Sequence, residues 1–161
     1  HHSFVPVNMG AIPESLFESE MFGHIKGAFT DAKENRVGRF EMAEQGTLFL
    51  DELANIPLIQ QAKLLKVLEE KKFEIVGSSK SQTADVRIIS ATNSDLSKAI
   101  KEQTFREDLF YRLNTIQLRV PSLHERIEDI APLAKHFLQL YAVKYNLPVP
   151  DLSADALSQL Q

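Results

Sequence analysis

The sequence predicts an α/β domain built on a mostly parallel, buried sheet, followed by the start of a separate helical segment. Three observations carry this. Short apolar runs at Phe4-Val5-Pro6-Val7-Asn8, Thr47-Leu48-Phe49-Leu50 and 86–93 are largely continuous rather than alternating, as strands buried on both faces require. Stretches of helical period lie between them. The alternation of strand and helix along the chain then places the strands side by side with helices covering them. In such sheets ligands sit beyond the carboxyl ends of the strands. The three runs end in Asn8, Asp51-Glu52 and Thr92-Asn93, so polar side chains gather at that edge.

The bulk composition fits. With 161 residues, 43% hydrophobic and 25% charged, the chain can bury a core. A net charge of −4 argues against a broad nucleic-acid face, which needs clustered Lys and Arg. The absence of cysteine excludes disulfides and thiolate metal sites and fits a cytoplasmic protein. No apolar run is long enough to span a bilayer.

The elements follow in order. Phe4–Asn8 reads as a buried strand. Pro13 and the acids after it open a short helix through Phe22. The stretch MFGHIKGAFTDAKENRVG has neither helical nor strand period and reads as a loop or hairpin insertion ending at Gly38. A short helix then precedes the Gly46 break and the strand Thr47–Leu50. Apolar residues at 56, 59, 62, 64, 65, 67 and 68 predict a helix with one buried face. FEIVGSSKSQTADV reads as a hairpin with a polar turn, and 86–93 as a strand. SDLSKAIKEQTF is helical with Ser94 as its cap. REDLFYRLN continues helically, and TIQLRVPSL is a strand stopped by Pro121. Beyond Glu125, Ile127, Ile130, Leu133, Ala134, Phe137, Leu138 and Tyr141 mark a long amphipathic helix. A last helix starts at Ser153, and its position at the end of the chain suggests a truncated piece. The expected division is 1–121 for the α/β part and 122–161 for the helical part.

Asp51-Glu52, directly after a rigid apolar strand, suits nucleotide hydrolysis. The first carboxylate can hold Mg²⁺ through its water shell, and the second can orient and deprotonate the attacking water. The same five residues also describe a strand that ends in solvated acids. Asn93 can hold the water or the γ-phosphate, or simply serve a turn. Asn8 can hydrogen-bond Glu52, or simply end its strand. Arg106 and Arg112 either pair locally or reach a neighbouring subunit's nucleotide. Phe29 belongs to no apolar stripe. It is either a loop anchor or a contact for a partner.

Together the stretches ESEMFGHIKGAFTDA, GRFEMAEQGTLFLDEL, QAKLLKVLEEKKFEIVGS, DVRIISATN, FREDLFYRLN and LHERIEDIAPLAKHFL resemble the central AAA+ ATPase domain of sigma-54-dependent transcription activators, the bacterial enhancer-binding proteins. The resemblance runs from Phe4 to about Asn146, and the order and spacing of the stretches make it specific. It implies a three-layer P-loop NTPase-like sandwich followed by the start of a helical lid. It implies ATP and Mg²⁺ as cofactors, with Asp51 and Glu52 as the Walker B pair and Asn8 as the asparagine that switches the glutamate. Thr92-Asn93 correspond to sensor I, and Arg106 and Arg112 to the arginines presented across a subunit interface in a ring, hexamer or heptamer. Gly27, Ala28, Phe29, Thr30, Asp31 and Ala32 correspond to the GAFTGA loop, which contacts sigma-54 in the RNA polymerase holoenzyme and couples hydrolysis to promoter opening. DNA is then contacted only through a domain outside these residues.

The sequence departs from the family in three ways. No G-x-x-x-x-G-K-[ST] phosphate-binding loop occurs in the 161 residues, and the resemblance puts it upstream of His1. The chain by itself is therefore expected to bind ATP weakly and not to turn it over. The sensor II arginine is expected beyond Gln161. Asp31 stands where the family usually has Gly, and Ala54 replaces another common Gly. Glycine reaches positive φ without penalty, and Asp does so less freely. Two other functions compete with the activator: a different AAA+ remodelling machine such as a chelatase or helicase relative, and a degenerate domain kept for binding. GAFT followed by GRFE argues against the first. The intact Asp51, Glu52, Asn93 and arginines argue against the second.

Overall fold

In a computed structural model that describes residues 2–160, the first apolar run forms β1 (Phe4–Asn8). Two single 3-10 turns, Met9–Ala11 and Glu14–Leu16, lead into α1 (Phe17–Phe22). The insertion is closed at its base by an antiparallel pair, β2 (Gly23–His24) and β3 (Arg36–Val37). There follow α2 (Arg39–Met42), β4 (Thr47–Asp51), a 3-10 turn Leu53–Asn55 and α3 (Leu58–Glu70). α3 begins behind Pro57, whose fixed φ is compatible with a helix start, and stops at Lys71, which takes a left-handed conformation with φ 52. The antiparallel pair β5 (Lys72–Glu74) and β6 (Ser81–Thr83) forms the expected hairpin, and β7 (Arg87–Ser90), α4 (Leu96–Lys101) and α5 (Glu107–Leu113) follow.

The α/β class with a parallel sheet is what the chain adopts. The sheet has three strands in the order β1–β4–β7, both pairs parallel. β4 is central, and its Leu48 and Leu50 are fully buried. The core gathers Val5, Val7, Phe17, Met21, Leu48, Leu50, Leu64 and Leu109. Within it Phe22 stacks on Phe40 and Phe73, with ring centroids 5.7 and 6.1 Å away. Glu20 pairs with Arg36 at 2.5 Å and Arg39 at 3.3 Å, fastening α1 to the base of the insertion.

Several elements differ from the sequence expectation. The buried face of α3 runs through Gln60, Gln61, Leu64, Leu65 and Val67, whereas Ile59 is 66% exposed. A buried glutamine is invisible to an apolar period. The cap of α4 is Asp95 and not Ser94. Asp95 has extended backbone angles and its Oδ1 accepts from the Lys98 N–H at 3.1 Å, while the Ser94 N–H is already engaged by Thr92 Oγ1. α4 and α5 are separate helices. Thr115–Pro121 forms no strand. Its alternating Ile116, Leu118 and Val120 are 76–85% exposed, because a β-prone segment needs a ladder partner and none is present among the described residues.

The chain forms two compact units, divided between Ile116 and Gln117. The second contains α6 (Ile130–Tyr145), with Phe137, Tyr141 and Tyr145 stacked at i, i+4 spacing, and α7 (Ala154–Leu160). The Ser153 side chain caps α7, accepting from the Ala156 N–H at 3.1 Å.

Gln61 holds three segments at once. Its Nε2 donates to the Ile56 carbonyl at 2.8 Å and the Thr104 carbonyl at 3.0 Å, and its Oε1 accepts from the Arg106 N–H at 2.8 Å. Leucine there keeps the volume and strands these backbone groups away from water. Gln61→Leu is expected to destabilise the fold by about 3 kcal/mol, read as a lower urea midpoint at unchanged slope.

Candidate functional site

The parallel register brings the strand ends together. Asn8 stands opposite Asp51, and Leu50 opposite Ser90. Beyond the last ladder pair the Ala91 N–H donates to the Leu50 carbonyl at 2.8 Å, and the Leu53 N–H to the Ala91 carbonyl at 3.0 Å. The chain leaving β7 is thus tied to the turn after β4, and Thr92-Asn93 emerge beside Asp51-Glu52. Thr92 and Asn93 are both exposed. Thr92 Oγ1 accepts from the Ser94 N–H at 3.1 Å.

Asp51 and Glu52 are half-buried and shaped by one tight bend. Glu52 has φ 54, ψ 44, a left-handed conformation that costs a non-glycine residue about 1 kcal/mol. Its N–H donates to Asp51 Oδ1 at 2.9 Å, which helps to hold the bend. The Glu52 carboxylate turns back over the 3-10 turn, where its Oε2 accepts from Asn55 Nδ2 at 3.0 Å. The expected bond from Asn8 to Glu52 is not what this structure contains. Asn8 Oδ1 instead accepts from the Ala11 N–H at 3.1 Å and caps the turn Met9–Ala11. The reason is local. A residue with extended backbone angles before a tight turn has an orphan N–H three positions on, well within its side-chain reach. Gly10 completes the arrangement, since a methyl group there would overlap Glu52 Oε2 and Asn55 Nδ2.

Both arginines are engaged within the chain. Arg106 precedes α5 and grips Asp108 with two bonds, Nε–Oδ1 at 3.0 Å and Nη2–Oδ2 at 2.6 Å. These bonds hold Arg106 above its ordinary pKa and lower that of Asp108. Arg112 Nη2 donates to the Leu68 carbonyl at 2.8 Å, joining α5 to α3.

The loop Gly27–Ala32 closes on itself. The Gly27 N–H donates to the Ala32 carbonyl at 2.8 Å and the Ala32 N–H to the Phe29 carbonyl at 3.0 Å, and Ala32 is buried. Gly27 has φ 82 with open space around it. Asp31 lies outside the left-handed region, so the backbone does not require glycine there. Phe29 is 39% exposed and meets the His24 ring edge-on at 4.9 Å. His24 Nδ1 lies 2.7 Å from Ser19 Oγ, so buried Ser19 steadies that ring. The tip of the β5–β6 hairpin braces the loop from beside. The Ile25 N–H donates to the Val76 carbonyl at 3.1 Å, and the Val76 N–H to the Gly23 carbonyl at 3.0 Å.

Among the described residues no three or more His, Asp or Glu converge to hold a metal. The Asp51-Glu52 pair suits an ion that takes its remaining ligands from water and phosphate, as Mg²⁺ does. Sequence inspection missed Asn55, Gly10, His24 and Gln61. Of these only Asn55 left a signal, its spacing of three from Glu52.

The profile of the family described as the sigma-54 interaction domain matches residues 1–119. The regulatory protein AtoC of Escherichia coli (strain K12) is 53% identical over 157 residues, covering 98% of this chain and 34% of that protein. The DNA-binding transcriptional regulator NtrC of Bradyrhizobium sp. (strain RP501 Parasponia) is 52% identical over 158 residues, covering 98% and 33%. The crystal structure of NtrX from Brucella abortus superposes with a TM-score of 0.92 at 40% identity, over 99% of this chain and 36% of that one. Its complex with ATP gives 0.89 at 39% identity, over 97% and 35%. The chain therefore spans about a third of the length of these relatives.

Gly77 carries the brace between the second hairpin and the loop. It has φ 83, and an added Cβ would lie 2.6 Å from Ala28 Cβ. Gly77→Ala is expected to destabilise the fold by about 1–2 kcal/mol. Faster amide exchange should be confined to the Gly27–Ala32 loop and its two flanking hairpins.

Proposed function

This chain belongs to the family of the sigma-54 interaction domain, and from that premise we propose that it is the ATP-hydrolysing AAA+ part of an activator that remodels sigma-54 RNA polymerase. One observation carries the proposal. The parallel register gathers Asn8, Asp51-Glu52 and Thr92-Asn93 at one sheet edge, and the self-closed loop bearing Phe29 and Thr30 is braced on two hairpins. The ATP complex of the NtrX relative supports nucleotide binding by this fold.

Bound ATP and Mg²⁺ supply the electrophilic phosphoryl group and neutralise its charge. The residues of this chain do the rest. Asp51, at the rigid end of the central strand, would hold the ion. Glu52 orients the attacking water and takes its proton. Asn93 holds that water or the terminal phosphate from the adjacent strand end. Phosphate cradling requires a glycine-rich loop, which these 161 residues do not contain. Arg106 and Arg112 serve the site of a neighbouring subunit in a ring, and Asp108 keeps the Arg106 guanidinium in a defined direction for that purpose.

Gly27, Ala28, Phe29, Thr30, Asp31 and Ala32 form the contact with sigma-54. The exposed part of Phe29 offers an apolar edge, and Thr30 a hydroxyl beside it. Asp31 adds a negative charge at the tip, flanked by Lys26 and Lys33.

Four expected outcomes test this. In the full-length protein, Thr30→Ala should leave ATP hydrolysis within about twofold and abolish activated transcription. Arg106→Ala should reduce hydrolysis by about a hundredfold. Mixing that variant with Glu52→Gln protein should restore part of the activity, because mixed rings pair an intact arginine with an intact glutamate. A complex with purified sigma-54, formed in the presence of ADP and aluminium fluoride and lost in Thr30→Ala, would establish the partner directly.

A further inference from the structure

Among the described residues the Glu52 carboxylate has one hydrogen-bond partner, the Asn55 side chain. The 3-10 turn that carries Asn55 is closed by the Asn55 N–H donating to the Glu52 carbonyl at 2.9 Å. A tight turn of this kind places residues three apart on the same face. The side-chain bond at 3.0 Å then closes a second ring over the same residues. The carboxylate is thus fixed from both ends: its backbone by the left-handed bend, its tip by the amide. Gly10 leaves the space that this orientation occupies.

We infer that Asn55 is a positioning residue for hydrolysis, holding the Glu52 carboxylate in one orientation through its amide N–H. The inference rests on Glu52 being the group that activates water. A carboxylate has about four acceptor positions, so the bond from Asn55 leaves the others free to take a water proton. Asn55 therefore acts on the orientation of Glu52 and not on the nucleotide. Its loss leaves nucleotide affinity alone and lowers the fraction of time that the carboxylate points at the water.

The test compares Asn55→Ala, Asn55→Asp and Glu52→Gln in the full-length protein, by ATP turnover and melting temperature. Asn55→Ala should lower kcat about fivefold with KM for ATP unchanged. Asn55→Asp has the same shape but replaces the donor by an acceptor facing a carboxylate, so it should be more damaging than alanine, by about a further fivefold. A packing role predicts the reverse order, because Asp is the closer isostere. On the Glu52→Gln background, Asn55→Ala should have no added effect on residual turnover. Inactive Glu52→Gln together with Asn55→Ala and Asn55→Asp at wild-type kcat would overturn the Asn55 inference and leave the hydrolytic role of Glu52 standing. Glu52→Gln with wild-type turnover would overturn both. Asn55→Asp milder than Asn55→Ala, with melting temperature falling in step with activity, would reduce Asn55 to a structural residue.

Discussion

A single buried amide ties the parts of this site into one body. Gln61 is fully buried on α3 and bonds to Ile56, just after the Asp51-Glu52 turn, and to Thr104 and Arg106, at the entry to α5. Each of those backbone groups lies where regular secondary structure has ended, so no helix or strand satisfies it. Burying them requires a partner with one acceptor and two donors, and a glutamine amide supplies that set. The geometry of the arginine is thereby referenced to the geometry of the acidic turn. A shift in either segment is felt by the other through α3.

The sheet edge works by the same economy of neighbours. Parallel strands in register end at one level, and the backbone bonds Ala91 to Leu50 and Leu53 to Ala91 carry the alignment past the last ladder pair. The bend at Glu52 is unfavourable in isolation and is maintained by Asp51, Ala91 and Asn55 together. Strain held by several independent partners is typical of residues whose direction matters more than their local stability.

The exposed loop is organised differently. Its own backbone closes it, and two hairpins support it from below and beside. Phe29 is neither buried nor free. Its edge contact with His24 gives the ring a resting place, while 39% of its surface stays open. Asp31 is accommodated because its position does not need left-handed geometry, so the change from the family's usual glycine acts on charge and not on backbone shape.

The three strands of the parallel sheet, most helices and the second hairpin were legible in the sequence, because continuous apolar runs, helical periods and turn residues are local signals, whereas the first insertion was left open between loop and hairpin. The family also followed from local strings whose order and spacing are specific, whereas the order of the strands in the sheet came only from the structure. Gln61 and Asn55 were not legible as bonding partners, since a polar residue looks the same in sequence whether it faces water or a buried carbonyl. Asn8 was read as a partner of Glu52 or a simple strand end, and its Oδ1 accepts from the Ala11 N–H three residues on. Thr115–Pro121 has the composition of a strand and forms none, because a strand is a property of two segments and not of one. Sequence alone determined which residues are apolar, which are acidic and where turns fall. Tertiary structure decided which polar groups meet, because hydrogen bonds are settled by the geometry of what lies within about 3 Å, and that depends on segments far apart in the chain.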